Sequence, residues 1–192
     1  MAGKRLRHGE LIIGPHGGYR KLKSFQVTTI VYDGTAAFCE RFFPASSRMR
    51  EQMVHAARSA KQNLAEGSTD SATSRKTELK LTGVALGSLG ELIEDYGDFL
   101  RQRGLRVWEK ECPEAHAVRA LARVPDRSCE TYRARVERGT PEVSANTMLC
   151  LANQAQYLVR QQLRGLAERF AREGGVTERM YRARREARGG LM

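Results

Sequence analysis

Between Arg75 and Arg103 the apolar residues Leu81, Ala85, Leu89, Leu92, Tyr96 and Phe99 recur at steps of three and four. Only a helix gathers residues so spaced onto one face. The pattern appears again after Thr140-Pro141, where Leu149, Ala152, Ala155, Leu158, Val159, Leu166 and Phe170 make a stripe that ends at Gly174-Gly175. Proline suits a first helical turn and glycine a helix end, so a helix over 141–173 is predicted. Met49, Met53, Ala56, Ala57, Ala60 and Leu64 make a third such face. Ser46 or Ser47 caps its start, and Gly67 is expected at its left-handed C-terminal position. The first element, Lys21–Phe43, is stopped by Pro44 and contains Val27-Thr28-Thr29-Ile30-Val31, a run that locally favours a strand. Its length without an internal turn, apart from a weak point at Gly34, predicts a helix instead. Four long helices, the second and third joined by the short polar loop 68–74, predict an all-α fold: an antiparallel up-down four-helix bundle.

The remaining segments divide the chain. Residues 1–18 end in Gly14-Pro15-His16-Gly17-Gly18 and read as a basic flexible segment. Residues 19–175 hold the bundle, interrupted by an insertion over 104–143 with short helices expected at Pro113–Arg123 and Ser128–Arg138. Residues 176–192 read as a short basic C-terminal helix capped by Thr177. Gly87 and Gly90 inside the third helix each cost about 1 kcal/mol, so a backbone approaching a neighbour closely is expected there.

No Walker loop, GxGxxG, HExxH, GxSxG or EF-hand spacing occurs. Cys39, Cys112, Cys129 and Cys150 lack CxxC spacing and nearby histidine pairs, so they read as reduced thiols of a cytoplasmic protein. No apolar run approaches the roughly 18–20 residues that span a bilayer, and Leu11–Ile13 is too short for a secretory signal. His55 and Glu51 lie one helical turn apart, and Glu91 and Asp95 do likewise. Pairs at that spacing are ordinary helix decoration, and the Glu-x-x-His pattern of di-iron bundles is absent. The expectation is a protein without catalysis, metal, cofactor or membrane contact.

The net charge of +11 is concentrated at the two ends. Residues 1–23 carry six Lys/Arg and one Glu, residues 160–192 nine Arg and four Glu, and the 136 residues between them 18 basic and 17 acidic residues. Neutralising a phosphate backbone needs several cations within reach of it. Lys4, Arg5, Arg7, Arg20, Lys21 and Lys23 form one such group, and Arg179, Arg182, Arg184, Arg185 and Arg188 the other. Tyr19 and Tyr181 sit among these charges, where base stacking, core contact or simple exposure are all open. No sequence-reading motif accompanies them.

The stretch Gln52-Met53-Val54-His55-Ala56-Ala57-Arg58-Ser59-Ala60-Lys61-Gln62-Asn63-Leu64-Ala65-Glu66-Gly67, followed by Gly87-Ser88-Leu89 and Glu91-Leu92, resembles the four-helix-bundle family of 23S rRNA intervening-sequence proteins. That family includes the accessory protein of diversity-generating retroelements. Tyr19-Arg20-Lys21-Leu22 and Gly174-Gly175 resemble its longer, suffix-domain form. The resemblance covers residues 19–103 and 145–188. It implies an up-down bundle, a ring-like homopentamer, RNA or DNA binding and, in one branch, a reverse-transcriptase partner. Arg58, Asn63 and Glu66 match the family's polar positions, where satisfying nearby backbone groups is the usual role. Two departures stand out: the segment 104–143 is longer than in compact members, and the central bundle is nearly neutral. The leading expectation is therefore an oligomeric bundle that binds nucleic acid through its ends. The alternative is a scaffold that binds a protein partner and has no nucleic-acid role.

Overall fold

The computed structural model describes residues 17–189, and all of their regular structure is helical. A 3-10 helix, Gly18–Lys21, leads into α1 (Lys23–Phe42), α2 (Arg48–Asp70) and α3 (Arg75–Gln102). Two short helices follow, α4 (Pro113–Ala120), extended by a 3-10 turn at Leu121–Arg123, and α5 (Cys129–Glu137). The chain then enters α6 (Pro141–Glu173) and α7 (Val176–Gly189). Lys4, Arg5, Arg7 and nearly all of the segment 1–18 lie outside the described residues.

Helices α1, α2, α3 and α6 share one core, α1 lying against α2 and α6, and α3 against α2 and α6. The insertion is draped over this core, with α5 on α1 and α6 and α4 on α6. Among the described residues no helix is long and apolar enough to cross a membrane.

Local chemistry accounts for most helix ends. Ser47, Ser74 and Thr140 each accept a backbone N–H of the first turn, from Arg50 (3.4 Å), Thr77 (3.1 Å) and Val143 (3.3 Å). The β-branched run of α1 is helical because burial outweighs its local preference: Val27, Ile30 and Val31 are at most 3% exposed. The threonine hydroxyls do not disturb this arrangement. Thr28, Thr29 and Thr35 donate to the carbonyls of Ser24, Phe25 and Val31 four residues back, at 2.7–2.9 Å.

Three glycines behave differently from the sequence expectation. Gly67 does not end α2, which runs on to Asp70; a Cβ at Gly67 would lie 3.3 Å from Leu81 Cβ and 3.4 Å from the Glu78 carbonyl, so it is a contact point with α3. The close helix approach expected at Gly87 and Gly90 is found at Gly34, where a Cβ would come within 2.7 Å of the buried Met148 Sδ. A Cβ at Gly87 would meet nothing within 4 Å. Thr177 is likewise not the cap of α7 but lies inside it, and Gly175 N–H donates to Glu178 Oε2 (2.9 Å) instead.

The insertion is held by a buried polar side chain. Asn146, 1% exposed, accepts the Trp108 N–H (2.8 Å) and donates to the carbonyls of Arg106 (2.8 Å) and Glu142 (2.9 Å). Ser144 does the same for α5, donating to the carbonyls of Arg135 and Val136 at 3.0 Å. Replacing Asn146 by Leu keeps the branched shape but leaves the Trp108 N–H and the Arg106 carbonyl without their partner. A loss of about 1–3 kcal/mol is expected. Trp108 is the sole tryptophan, so a red shift of its emission reports release of the insertion directly; unchanged emission would mean that Asn146 does not anchor it.

Candidate nucleic-acid interface

The two basic segments are about 140 residues apart in sequence, yet the helices return them to one end of the molecule. Ser24 Oγ at the start of α1 donates to Gln162 Oε1 in the second half of α6, about three turns before its end, at 2.6 Å. The Gly17 N–H reaches the Ser68 carbonyl at the end of α2 (3.2 Å). Arg75, opening α3, pairs with Glu173 at 2.7 Å and donates to the Gly174 carbonyl. The start of α1, the α2–α3 connection and the end of α6 therefore form one pole.

Arg20, Lys21 and Lys23 are exposed there. Their backbone is fixed by a tight turn, in which Leu22 N–H donates to the Tyr19 carbonyl (2.9 Å) and Gln26 Nε2 to the Arg20 carbonyl (3.0 Å). Tyr19 is a packing residue: its ring meets Phe25 edge-on with centroids 4.7 Å apart, and Arg20 lies over its face. Of the C-terminal group, Arg184, Arg185 and Arg188 are exposed on α7. Arg179 and Arg182 belong to the same helix, and their side chains lie outside the described residues. Tyr181 on this helix is 67% exposed and free to stack.

The sequence choice of site residues overlooked Lys76, Arg164, Arg169 and Arg172, exposed cations on the helix ends that frame the pole. Arg164, Arg169 and Arg172 belong to the basic charge of residues 160–192, and only the topology connects them with the start of α1. Gly174 turns the chain there. Its φ of 68° lies where other residues are strained, and it separates α6 from α7.

The other named polar positions lie elsewhere. Asn63 donates to the Ser59 carbonyl (2.8 Å) and hydroxyl (3.2 Å) within α2, a structural role. Arg58 and Glu66 are exposed on the same helix. Arg58 edges a groove of about 450 Å³ shared with Glu40, Arg50, Glu51 and His55. Glu51 and His55 also line a shallow cleft of about 520 Å³ with Gln52, Glu91 and Asp95. This region is acidic, because Glu91, Glu94, Asp95 and Asp98 crowd the second half of α3, away from the basic pole. A phosphate backbone is repelled from it. Among the described residues no group of three or more His, Cys, Asp or Glu side chains is placed to hold a metal ion. All four cysteines are free, and burial pushes the Cys39 thiol up to about 12.

Burial raises the Asp95 carboxyl above its ordinary value, and the charges of Glu91, Asp98 and Glu94 raise it further. An acid raised in the folded state costs stability once the unfolded chain ionises. Stability should therefore fall as pH rises from about 3.8, the ordinary Asp value, through the raised folded value. Asp95→Asn should remove this fall and relieve like-charge contacts worth about 0.2–0.5 kcal/mol each. Thermal melts at pH 3 and pH 7 test this: the variant gains only at the higher pH.

Comparison of the chain with protein-family models, with curated proteins and with solved structures finds no match. The resemblance to the intervening-sequence family thus rests on the sequence stretches quoted above alone.

Proposed function

We propose that this chain is a non-catalytic, homo-oligomeric helical-bundle protein that binds nucleic acid electrostatically through its basic pole. The observation that supports the reading is that the turn carrying Arg20, Lys21 and Lys23 and the end of α6, from which α7 and its arginines follow, are both joined to the α2–α3 connection, through the Gly17–Ser68 and Arg75–Glu173 contacts. Cations at one pole can engage one backbone together, whereas cations on separate tails act singly. The acidic half of α3 sets the orientation by repelling the ligand from the opposite region.

The architecture proposed is the antiparallel up-down four-helix bundle formed by α1, α2, α3 and α6. Support comes from contacts that run in opposite order along paired helices. Cys39 late in α1 meets Met53 early in α2, Gly67 late in α2 meets Glu78 early in α3, and Ser24 early in α1 meets Gln162 late in α6. This is the arrangement that the resemblance implies, and with it come a ring of five copies, a cytoplasmic setting and a reverse-transcriptase or similar nucleoprotein partner.

Fluorescence anisotropy of the full chain with a structured RNA and with duplex DNA, across a salt series, tests the binding. Affinity should fall linearly on a log–log plot of binding constant against salt. The tighter ligand names the class. No binding at low salt would leave the pole without a nucleic-acid role and favour a protein scaffold.

A further inference from the structure

Among the described residues, no other element packs closely on the outer face of α3. Gly83, Gly87, Gly90 and Gly97 fall on one side of the helix at about 100° per residue. A Cβ at Gly83, Gly87 or Gly97 would meet nothing within 4 Å, and one at Gly90 only an ordinary contact with Gln156 at 3.6 Å. Each glycine costs about 1 kcal/mol relative to alanine in a helix interior, and no contact within the described chain offsets that. Glycine in this setting leaves room for a second backbone. Val84, on the edge of the same face, is 43% exposed.

The charges on this face indicate what covers it. Lys76 and Lys80 lie before the glycines, and Glu91, Glu94 and Asp98 lie among and after them, all exposed; Arg101 follows and pairs with Asp98 at 2.8 Å, so Glu94 is the acid on this face most open to a partner. That order is complementary to itself when reversed. We propose that α3 pairs antiparallel with α3 of a second copy of this chain, the two crossing at Gly87. In that register Lys80 faces Glu94 of the other copy, Lys76 faces Asp98, and Val84 covers the gap at Gly90. Every contact occurs twice, as a two-fold interface requires. Only Lys76 is shared with the basic pole, and the glycine face and charge order are independent of it, so the inference stands without the nucleic-acid reading. An isologous contact closes at two copies; where a head-to-tail ring also forms, the α3 contact joins two rings, so a ring of five gives an assembly of ten and the copy number stays even.

The test is the mass of the full-length protein by light scattering, from about 1 to 100 µM. The wild type should be a dimer or an even multiple. K80E and E94K each reverse both symmetric pairs, and each should weaken association by roughly tenfold or more. The double variant K80E/E94K should recover it. Lys80 and Glu94 are about 21 Å apart along one helix, so recovery can only come from pairing between copies. Gly87→Leu should block association while helicity is maintained, since a Cβ at Gly87 meets nothing within 4 Å among the described residues. A wild type that is monomeric throughout, an odd-numbered assembly unchanged by Gly87→Leu, or a charge swap without recovery would each overturn the proposal.

Discussion

Replacing Phe38 by Ala should lower stability by about 3–5 kcal/mol, the range for removing a fully buried aromatic side chain. Phe38 is 0% exposed. Its ring centroid lies 4.8 Å from those of Phe42 and Phe99, 5.0 Å from Tyr96 and 6.3 Å from Phe43, in tilted or edge-on geometries. Such pairs contribute about 0.5–1.5 kcal/mol each beyond the area they bury. The ring also joins α1 to α3, so a cavity here loosens two helices. Collapse is resisted by Tyr96, which is fully buried and tethered by its hydroxyl donating to Thr35 Oγ1 at 2.9 Å. Urea denaturation followed by circular dichroism measures the loss. A change below about 1 kcal/mol would show that the neighbouring rings refill the space and that the cluster is not a fixed element of the core. Because Phe38 lies in the half of α1 remote from Ser24, the folded fraction should keep its affinity for nucleic acid.

Much of this helical framework was legible in the sequence, and the exceptions have physical reasons. The long periods of α3 and α6 locate those helices almost to the residue, and length settles α1 against the strand preference of Val27–Val31. Ser47 and Thr140 are recognisable as caps because an oxygen one turn before an apolar period has an N–H to satisfy. Glycine is the blind spot, since it carries no hydropathy and fits a helix end, a close contact or an open face equally well. Gly67 and Gly34 are close contacts between helices, Gly87 lies on an open face, and Gly174 ends a helix. Asn146 was also hidden: an Asn near the start of a helix reads as solvent-facing until the insertion is folded over it. The basic pole lay between these cases. Its charges were countable, but the approach of the start of α1 and the end of α6 to the same α2–α3 connection depends on long helices returning the chain, which no local window contains.

Removing that meeting point should have the largest effect on binding. A variant with Arg20, Lys21, Lys23, Arg184, Arg185 and Arg188 changed to Ala removes six exposed cations from the two segments. Each cation in contact with a duplex phosphate contributes about 0.9 to the salt slope. If all six make contact the slope should fall by about 5, and affinity near 0.1 M salt should drop on the order of a hundredfold or more. The loss should be uniform across sequences, because phosphate contacts carry no base information. Stability should change little, since all six side chains are exposed and surface substitutions typically stay within about 0.5 kcal/mol. The decisive comparison is between the two halves. If the pole acts as one surface, changing Arg20, Lys21 and Lys23 alone should weaken the same complex that the α7 triple change weakens, with both reducing the slope for one ligand site. If each half instead supports a separate complex, two independent binding steps will remain in the wild type, and the convergence at the end of α6 carries no function.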